Sequence, residues 1–153
     1  MSVIGGLIVL VVVLVAASAA GFGLRARQGR FRPQGPRSTR LPTAADNALT
    51  SADLGAPLGE RATLVQFSTE FCTYCGPTRE LLAELASERA GVAFVEIDAA
   101  DRMDLTRRLR VMSTPTVLVL GADGAIERRS SGQPRKSDLL AAVGAVLGGG
   151  DGS

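Results

Sequence analysis

The sequence predicts an α/β domain whose mixed central sheet has helices on both faces, preceded by a single transmembrane helix. Three observations predict this arrangement. An uncharged apolar run covers residues 3–24. Short runs of β-forming residues then alternate with segments of helical periodicity over residues 51–147, in the order β-α-β-α-β-β-α. The turn signal Asp123-Gly124 separates the last two strands, so these two strands form an antiparallel hairpin.

The apolar run at residues 3–24 consists largely of Val, Leu, Ile, Ala and Gly. At about 1.5 Å per residue it reaches roughly 33 Å as a helix, enough to cross a hydrocarbon core of about 30 Å. A cleaved signal peptide is the alternative, because Ala17-Ser18-Ala19 resembles a cleavage site. A signal peptide requires positive charge before its apolar run, and the residues before this run carry none. We therefore expect an uncleaved single-pass anchor.

Residues 25–50 are predicted to be a linker with little regular structure, because prolines and glycines interrupt them and no hydrophobic period appears. Six arginines lie in this segment: Arg25, Arg27, Arg30, Arg32, Arg37 and Arg40. Positive charge beside a span favours the cytoplasmic side, so the cluster favours a cytoplasmic domain over an extracytoplasmic one. The domain has no basic patch with interleaved aromatic residues, and we therefore expect no nucleic-acid partner.

The first half of the domain contains the strand that we expect at the centre of the sheet. Residues 50–54 begin either a short helix or an edge strand. Arg61 to Ser68 is predicted to be a buried strand because apolar and β-branched residues dominate it. A helix follows over residues 78–90, with Gly91 as its C-cap. Its predicted buried face contains Leu81 and Leu85, and its solvated face contains Glu80, Glu84 and Glu88.

The second half of the domain adds two strands, a helix and a hairpin. Val92 to Ile97 is predicted to be a strand, and Asp101 to Arg110 a helix that buries Leu105 and Leu109. Thr116 to Leu120 and Ala125 to Ser130 are the two hairpin strands. We expect Ser137 to cap a last helix. The predicted apolar face of that helix contains Leu140, Val143 and Leu147, and residues 148–153 are a predicted flexible tail.

The only two cysteines, Cys72 and Cys75, lie at the junction between the central strand and the first long helix. The N-terminus of a helix exposes unpaired N–H groups and the positive end of the helix dipole. Both stabilise a thiolate, which is the attacking species in thiol–disulfide exchange. We therefore predict that Cys72 is the nucleophile and that Cys75 resolves the mixed disulfide.

Other roles for a Cys-x-x-Cys pair fit this chain less well. A structural zinc site takes about four ligands, whereas the chain has no histidine and no third cysteine, so such a site would have to be shared between chains. Haem attachment places a histidine after the second cysteine, where this chain has Gly76. A permanent structural disulfide would close only a very short loop. We predict no metal site and no cofactor.

The motif and the order of elements together resemble the thioredoxin fold over residues 55–147. Three landmarks carry the resemblance: Phe67 followed by the stretch from Phe71 to Pro77, the segment Ser113-Thr114-Pro115-Thr116 before a strand, and Gly132 after the hairpin. With its anchor and linker, the chain is similar to membrane-tethered bacterial thioredoxins of the TlpA-like group, which serve cytochrome maturation or extracytoplasmic disulfide reduction.

The resemblance implies a thiol–disulfide oxidoreductase that acts on protein substrates through Cys72 and Cys75. In this family the proline equivalent to Pro115 follows a cis peptide bond and lies beside the cysteine pair. The backbone of Thr114 would then pair with an extended substrate segment. Thr73 and Tyr74 lie between the two cysteines and would tune or shield them.

The chain departs from thioredoxins proper at several positions near the motif. Gln66 replaces a buried aspartate of the family, and Phe94 replaces a lysine, so the family's charge pair is absent. Gln66 is expected to contact a water near Cys75 or to be a satisfied core amide. These departures argue against ordinary thioredoxin reductase as the partner and against a strongly reducing potential.

Two further function classes compete with the oxidoreductase. The fold could act as a redox-silent scaffold that holds a partner at the membrane. It could also act as an assembly factor for a haem or metal enzyme, keeping cysteines of the apo-protein reduced or passing on a soft metal ion. The sequence identifies no electron donor.

Overall fold

The computed structural model describes residues 6, 8–18, 32–33 and 48–149. Residues 8–18 form helix α1. The other elements are β1 (Arg32–Pro33), α2 (Ser51–Leu54), β2 (Ala62–Ser68), α3 (Cys75–Ser87), β3 (Val92–Asp98), α4 (Met103–Arg108), β4 (Thr116–Gly121), β5 (Ile126–Ser131) and α5 (Lys136–Gly149). From β2 to α5 this order confirms the predicted β-α-β-α-β-β-α sequence.

The sheet has the strand order β1-β5-β4-β2-β3, and β2 lies between β4 and β3. Strands β2 and β3 are parallel, as expected for two strands joined through a helix. Strand β4 pairs antiparallel with both β2 and β5, so the sheet is mixed as predicted. All seven residues of β2 are buried, which explains why its apolar residues do not alternate with exposed polar ones.

Successive side chains of the strands point to opposite faces of the sheet and build two separate apolar clusters. On one face, Val65 and Phe67 pack in a cluster with Leu105 and with Leu109, next to α4. The opposite cluster contains β2 residue Leu64 together with α3 and α5 residues: Leu82, Leu85, Leu139, Ala142 and Val143. Helices therefore cover both faces, as the sequence predicts.

The hairpin between β4 and β5 forms at the predicted turn. The Gly121 N–H donates to the Ala125 carbonyl at 2.9 Å, and the Asp123 carboxylate accepts the Ala125 N–H at 3.0 Å. Gly124 has a positive φ of 81°, which explains why glycine occupies this position. The same glycine accepts a hydrogen bond from the Leu49 N–H at 2.9 Å, which ties the start of the domain to the hairpin.

The segment before the central strand is a short helix rather than an edge strand. Thr50 caps α2: its side chain accepts the Asp53 N–H, and the Asp53 carboxylate accepts the Thr50 N–H at 2.9 Å. This backbone hydrogen bond is the main reason why the pKa of Asp53 is lowered from its ordinary value. The preceding Leu49 is only 1% exposed, so the chain joins the core at the end of the predicted linker.

Several helix boundaries differ from the predicted ones. Helix α3 begins at Cys75 and ends at Ser87, so it starts within the motif and ends before Gly91. Helix α4 covers only Met103–Arg108 of the predicted residues 101–110, and the positive φ of 50° at Arg110 explains why it ends early. Helix α5 begins at Lys136, so Ser137 lies inside its first turn and the prediction that it caps the helix is wrong.

The buried faces of the long helices also differ from the predicted ones in part. On α3, Leu82 and Leu85 are buried, whereas Leu81 is only partly buried against the same cluster. On α5, Val143 is buried as predicted, whereas Leu140 and Leu147 are only partly buried against the same cluster. Leu139, which was not in the predicted face, is fully buried. This helix continues to Gly149, two residues into the segment predicted to be a tail.

The N-terminal predictions extend beyond the described residues. Helix α1 lies within the predicted span of residues 3–24, but the residues on either side of it are outside the described part of the chain. Within the described residues, none of the helices combines the length and apolar character needed to cross a membrane. In the predicted linker, β1 pairs antiparallel with β5.

Replacement of Gly124 by alanine should destabilise the domain. The added Cβ would collide with the Leu49 carbonyl oxygen. We expect Gly124→Ala to lower the free energy of unfolding by at least about 2 kcal/mol, because the left-handed conformation alone costs an L-residue roughly 1–2 kcal/mol. Urea denaturation followed by circular dichroism measures the change.

Gly144→Ala is the matched control, because Gly144 is exposed in α5 and its added Cβ has no neighbour within 4 Å among the described residues. Alanine is the better helix former by about 1 kcal/mol, so this variant should gain stability. Equal effects of the two substitutions would contradict the role assigned to the turn.

Candidate functional site

The cysteine pair lies where the buried central strand passes into α3. Cys72 and Cys75 form a disulfide with a Cα–Cα distance of 5.4 Å. The loop is held by its backbone, since the Cys72 N–H donates to the Thr69 carbonyl at 3.2 Å and the Cys75 N–H to the Cys72 carbonyl at 3.3 Å. Cys75 is the first residue of α3, so Cys72 lies just before the N-terminus of that helix.

The two cysteines differ in exposure. Cys75 is only 3% exposed, because α3 packs it against the sheet. Cys72 is half-buried, and the neighbouring Phe71 side chain is 92% exposed. An incoming sulfur can therefore reach Cys72 but not Cys75, which is the asymmetry that disulfide exchange through a mixed disulfide requires.

The loop before β4 is fixed next to the motif. The peptide bond between Thr114 and Pro115 is cis, as the family resemblance implies. The Pro115 carbonyl accepts the N–H of Gly132 at 2.7 Å, and Gly132 has a positive φ of 87°. The hydroxyl groups of Thr114 and Thr69 are 3.1 Å apart and share a hydrogen bond, which connects this loop to the loop that carries the cysteines.

A groove of about 500 Å³ runs along one side of the motif and brings together residues far apart in the chain. Tyr74, from between the cysteines, and the loop residues Thr114 and Pro115 line it. The other lining residues are uncharged as well: Ser113, Ser131, Gly132 and Gln133. Thr73, which also lies between the cysteines, is exposed and does not line this groove.

A second cleft, of about 530 Å³, lies on the other side of the motif and contains charged groups. Cys72 and Cys75 line it together with an ion pair, in which the Arg79 guanidinium donates to both Glu96 oxygens, at 2.5 and 2.8 Å. Glu70 and Asp98 line the same cleft. Arg79 is the main reason why the pKa of Glu96 lies below its ordinary value, and partial burial opposes this shift.

This ion pair places charge beside the disulfide at positions other than Gln66 and Phe94, where the charge pair of thioredoxins proper is absent. Phe94 is partly buried and packs against the α3–α5 cluster, as expected for an apolar residue in place of the family's lysine. Two residues further along β3, however, Glu96 lies beside Gln66 in the parallel ladder and projects toward α3. The sequence contains a signal for this pairing, since alternation places Phe94 and Glu96 on the same face, but it does not identify Arg79 as the partner.

Gln66 contacts Cys75 through its amide. Its side chain is fully buried, and its Nε2 donates to the Cys75 carbonyl at 2.9 Å. Its Oε1 has no hydrogen-bond partner within the part of the chain that the structure describes. Gln66 therefore differs from one of the two expectations from the sequence, that of a fully satisfied core amide.

Among the described residues, no group of three or more His, Cys, Asp or Glu side chains is arranged to hold a metal ion.

Comparison with known proteins agrees with this geometry. The thioredoxin family model matches residues 50–145. A chloroplastic thioredoxin z is 24% identical, with 58% of this chain and 80% of that chain covered and a TM-score of 0.52. Thioredoxin-2 of the malaria parasite, described as a component of its protein secretion machinery, is 18% identical, with 69% and 99% covered and a TM-score of 0.54.

A third similar structure, thioredoxin f from spinach chloroplast, is 21% identical, with 57% of this chain and 78% of that chain covered and a TM-score of 0.50. At these identities the structures show a shared fold. No curated protein matches the chain.

The chain belongs to the thioredoxin family, because the family model covers most of its length and the fold agrees. The redox pair of this family is present as Cys72 and Cys75, within disulfide-bonding distance. The protein is therefore a thiol–disulfide oxidoreductase.

The Arg79–Glu96 ion pair should make stability depend on pH in the acid range. Its contribution is fully present above the ordinary glutamate pKa of 4.5 and is lost as the pH falls through the lowered folded-state pKa. We expect Glu96→Gln to lower the free energy of unfolding at neutral pH and to change it less at an acid pH below the lowered folded-state pKa, where both states bind the proton. Urea denaturation at both pH values measures this.

Glu84→Gln provides the control, because Glu84 forms a longer ion pair of 3.4 Å between exposed side chains, with Lys136 on α5. Exposed pairs of this kind contribute little to stability. An equal loss of stability for Glu96→Gln at both pH values would contradict the assigned charge interaction.

Proposed function

We propose that the protein exchanges its dithiol for disulfides of protein substrates, with Cys72 as the attacking group and Cys75 as the resolving group. The single observation that supports this order is the difference in exposure between the two residues, since Cys75 is 3% exposed and Cys72 is half-buried. The position of Cys72 before the N-terminus of α3 also favours its thiolate.

The proposed reaction has two steps. The Cys72 thiolate attacks one sulfur of the substrate disulfide, and the other substrate sulfur leaves as a thiolate that takes up a proton. Cys75 then loses its proton and attacks the Cys72 sulfur, which releases the second substrate thiolate. The substrate gains two electrons, and the protein ends with the Cys72–Cys75 disulfide seen in the structure.

The uncharged groove beside Tyr74 and Pro115 is the proposed site for the substrate backbone. Pro115 has no N–H, so the peptide groups of Thr114 are the available hydrogen-bonding groups at the rim of this groove. Exposed apolar side chains lie nearby in the chain, with Phe71 at 92% and Met112 at 90% exposure. Apolar surface of this kind suits a protein partner rather than a small polar thiol.

We also propose that the N-terminal segment anchors the protein in a membrane as a single span. The uncharged composition of residues 3–24 and the helical structure of residues 8–18 support this. The arginine cluster that follows supports a cytoplasmic position of the domain.

Substitution of each cysteine tests the proposed order of attack. We expect Cys72→Ser to abolish reduction of insulin disulfides, because no nucleophile remains at the exposed position. Cys75→Ser should instead accumulate a mixed disulfide with the substrate, visible on non-reducing gels. Glu84→Gln is the control, because it changes an exposed residue of α3 that lines neither the groove nor the cleft, and it should leave both readouts close to those of the wild type. Comparable turnover by the wild type and both cysteine variants would overturn the proposal.

Cell fractionation tests the anchor. We expect the full chain to stay with the membranes after an alkaline carbonate wash, and a chain that begins at residue 25 to be soluble. Labelling of the reduced cysteines with a membrane-impermeant maleimide in intact cells then reports the side of the membrane, with a Cys72→Ser/Cys75→Ser chain as the blank. Recovery of the full chain in the soluble fraction would rule out the span.

A further inference from the structure

The orientation of the Gln66 amide is fixed by its neighbour. The Cys75 carbonyl can only accept a hydrogen bond, so the amide NH₂ group must face it, as the Nε2–O distance of 2.9 Å shows. The Oε1 atom therefore points elsewhere, and no donor among the described residues meets it. A buried acceptor without a partner costs about 1–3 kcal/mol, so this atom calls for a physical explanation.

The side chain cannot relieve this cost by turning toward solvent. Gln66 is 0% exposed on the central strand, between Glu96 of β3 and Val117 of β4 in the ladders. Its amide is held against the first residue of α3, and Cys75 is itself only 3% exposed. The unpartnered oxygen thus belongs to a buried amide that contacts the backbone of Cys75, the residue that also carries the resolving sulfur.

That sulfur has no hydrogen to donate in the structure, because it is bonded to Cys72. When a donor dithiol transfers two electrons to the protein and becomes a disulfide, the Cys72–Cys75 bond breaks. A proton on Cys75 then turns its sulfur into an S–H donor. The change from disulfide to dithiol therefore creates a donor on the residue whose carbonyl holds the Gln66 amide, and Oε1 of that amide lacks a donor.

We propose that Gln66 Oε1 accepts a hydrogen bond from the Cys75 thiol in the reduced protein, so that Gln66 is a positioning residue that favours the dithiol over the disulfide. This inference rests on the proposed function of the cysteine pair. The contact gives the buried Oε1 atom a hydrogen-bond partner in the reduced state only. The Nε2 bond to the Cys75 carbonyl is available in both redox states, so it does not change the equilibrium between dithiol and disulfide.

The redox potential is the first test. Gln66→Met keeps a similar shape and removes the acceptor. We expect the equilibrium constant with glutathione to shift toward the protein disulfide by roughly three- to tenfold, which corresponds to a midpoint about 15–30 mV more negative. Thr63→Val is the matched control, because it also removes a buried hydrogen bond from β2, the one accepted from the Gly59 N–H at 2.9 Å. It should leave the midpoint unchanged.

The infrared S–H stretching band is the second test, and it does not depend on turnover. In Cys72→Ser the Cys75 thiol is the only thiol in the chain, so the protein has one S–H band. We expect Gln66→Met in this background to move the band to higher frequency, since the hydrogen bond is lost. Gln66→Glu, protonated because burial raises a carboxyl pKa, keeps an acceptor oxygen and should retain the lower frequency.

The outcomes separate this inference from the proposed function. If Gln66→Met shifts neither the midpoint nor the S–H band while wild-type protein still reduces insulin, the hydrogen bond is wrong and the exchange reaction stands. If Thr63→Val shifts the midpoint as much as Gln66→Met, the effect is one of general stability and the inference is overturned. If wild-type protein shows no exchange, the proposed function fails whatever the band position.

Discussion

The burial of β2 is the constraint on which the rest of the structure depends. Its seven residues are covered on both faces and paired on both edges, with β3 parallel on one side and β4 antiparallel on the other. Because a strand in this position has no freedom to shift its register, the residues that follow Ser68 leave the sheet at a fixed point. The cysteine loop, the start of α3 and the Gln66 amide are all placed by this one strand.

The difference between the two sulfurs follows from where α3 begins. Because Cys75 is the first helical residue and packs against the sheet, its side chain is enclosed, whereas Cys72 remains in the loop and half-buried. The loop before β4 is fixed independently, by the Gly132 N–H on Pro115 and by the paired hydroxyl groups of Thr69 and Thr114. Two rigid segments therefore meet at the disulfide, and the groove between Tyr74 and Pro115 is preformed.

The charge around the disulfide lies at the open cleft and not beneath Cys75. The fully buried position beneath Cys75 holds a neutral amide, Gln66, which does not titrate. The charged pair of Arg79 and Glu96 lies instead at the wall of the open cleft, where solvent limits the cost of desolvation. An ionised carboxylate with a lowered pKa is a weak base, so this pair suits a structural and electrostatic role rather than removal of the Cys75 proton.

The sequence by itself determined the order of strands and helices, the hairpin at Asp123-Gly124 and the redox pair, because each depends on local periodicity or on residues a few positions apart. The cis bond before Pro115 and the glycine at 132 were expected from the family resemblance alone. Only the tertiary structure decided the contacts of Glu96 with Arg79, of Gln66 with the Cys75 carbonyl and of β1 with β5. These partners lie 9 or more residues apart, and strand register and helix packing, which local sequence patterns do not encode, bring them together.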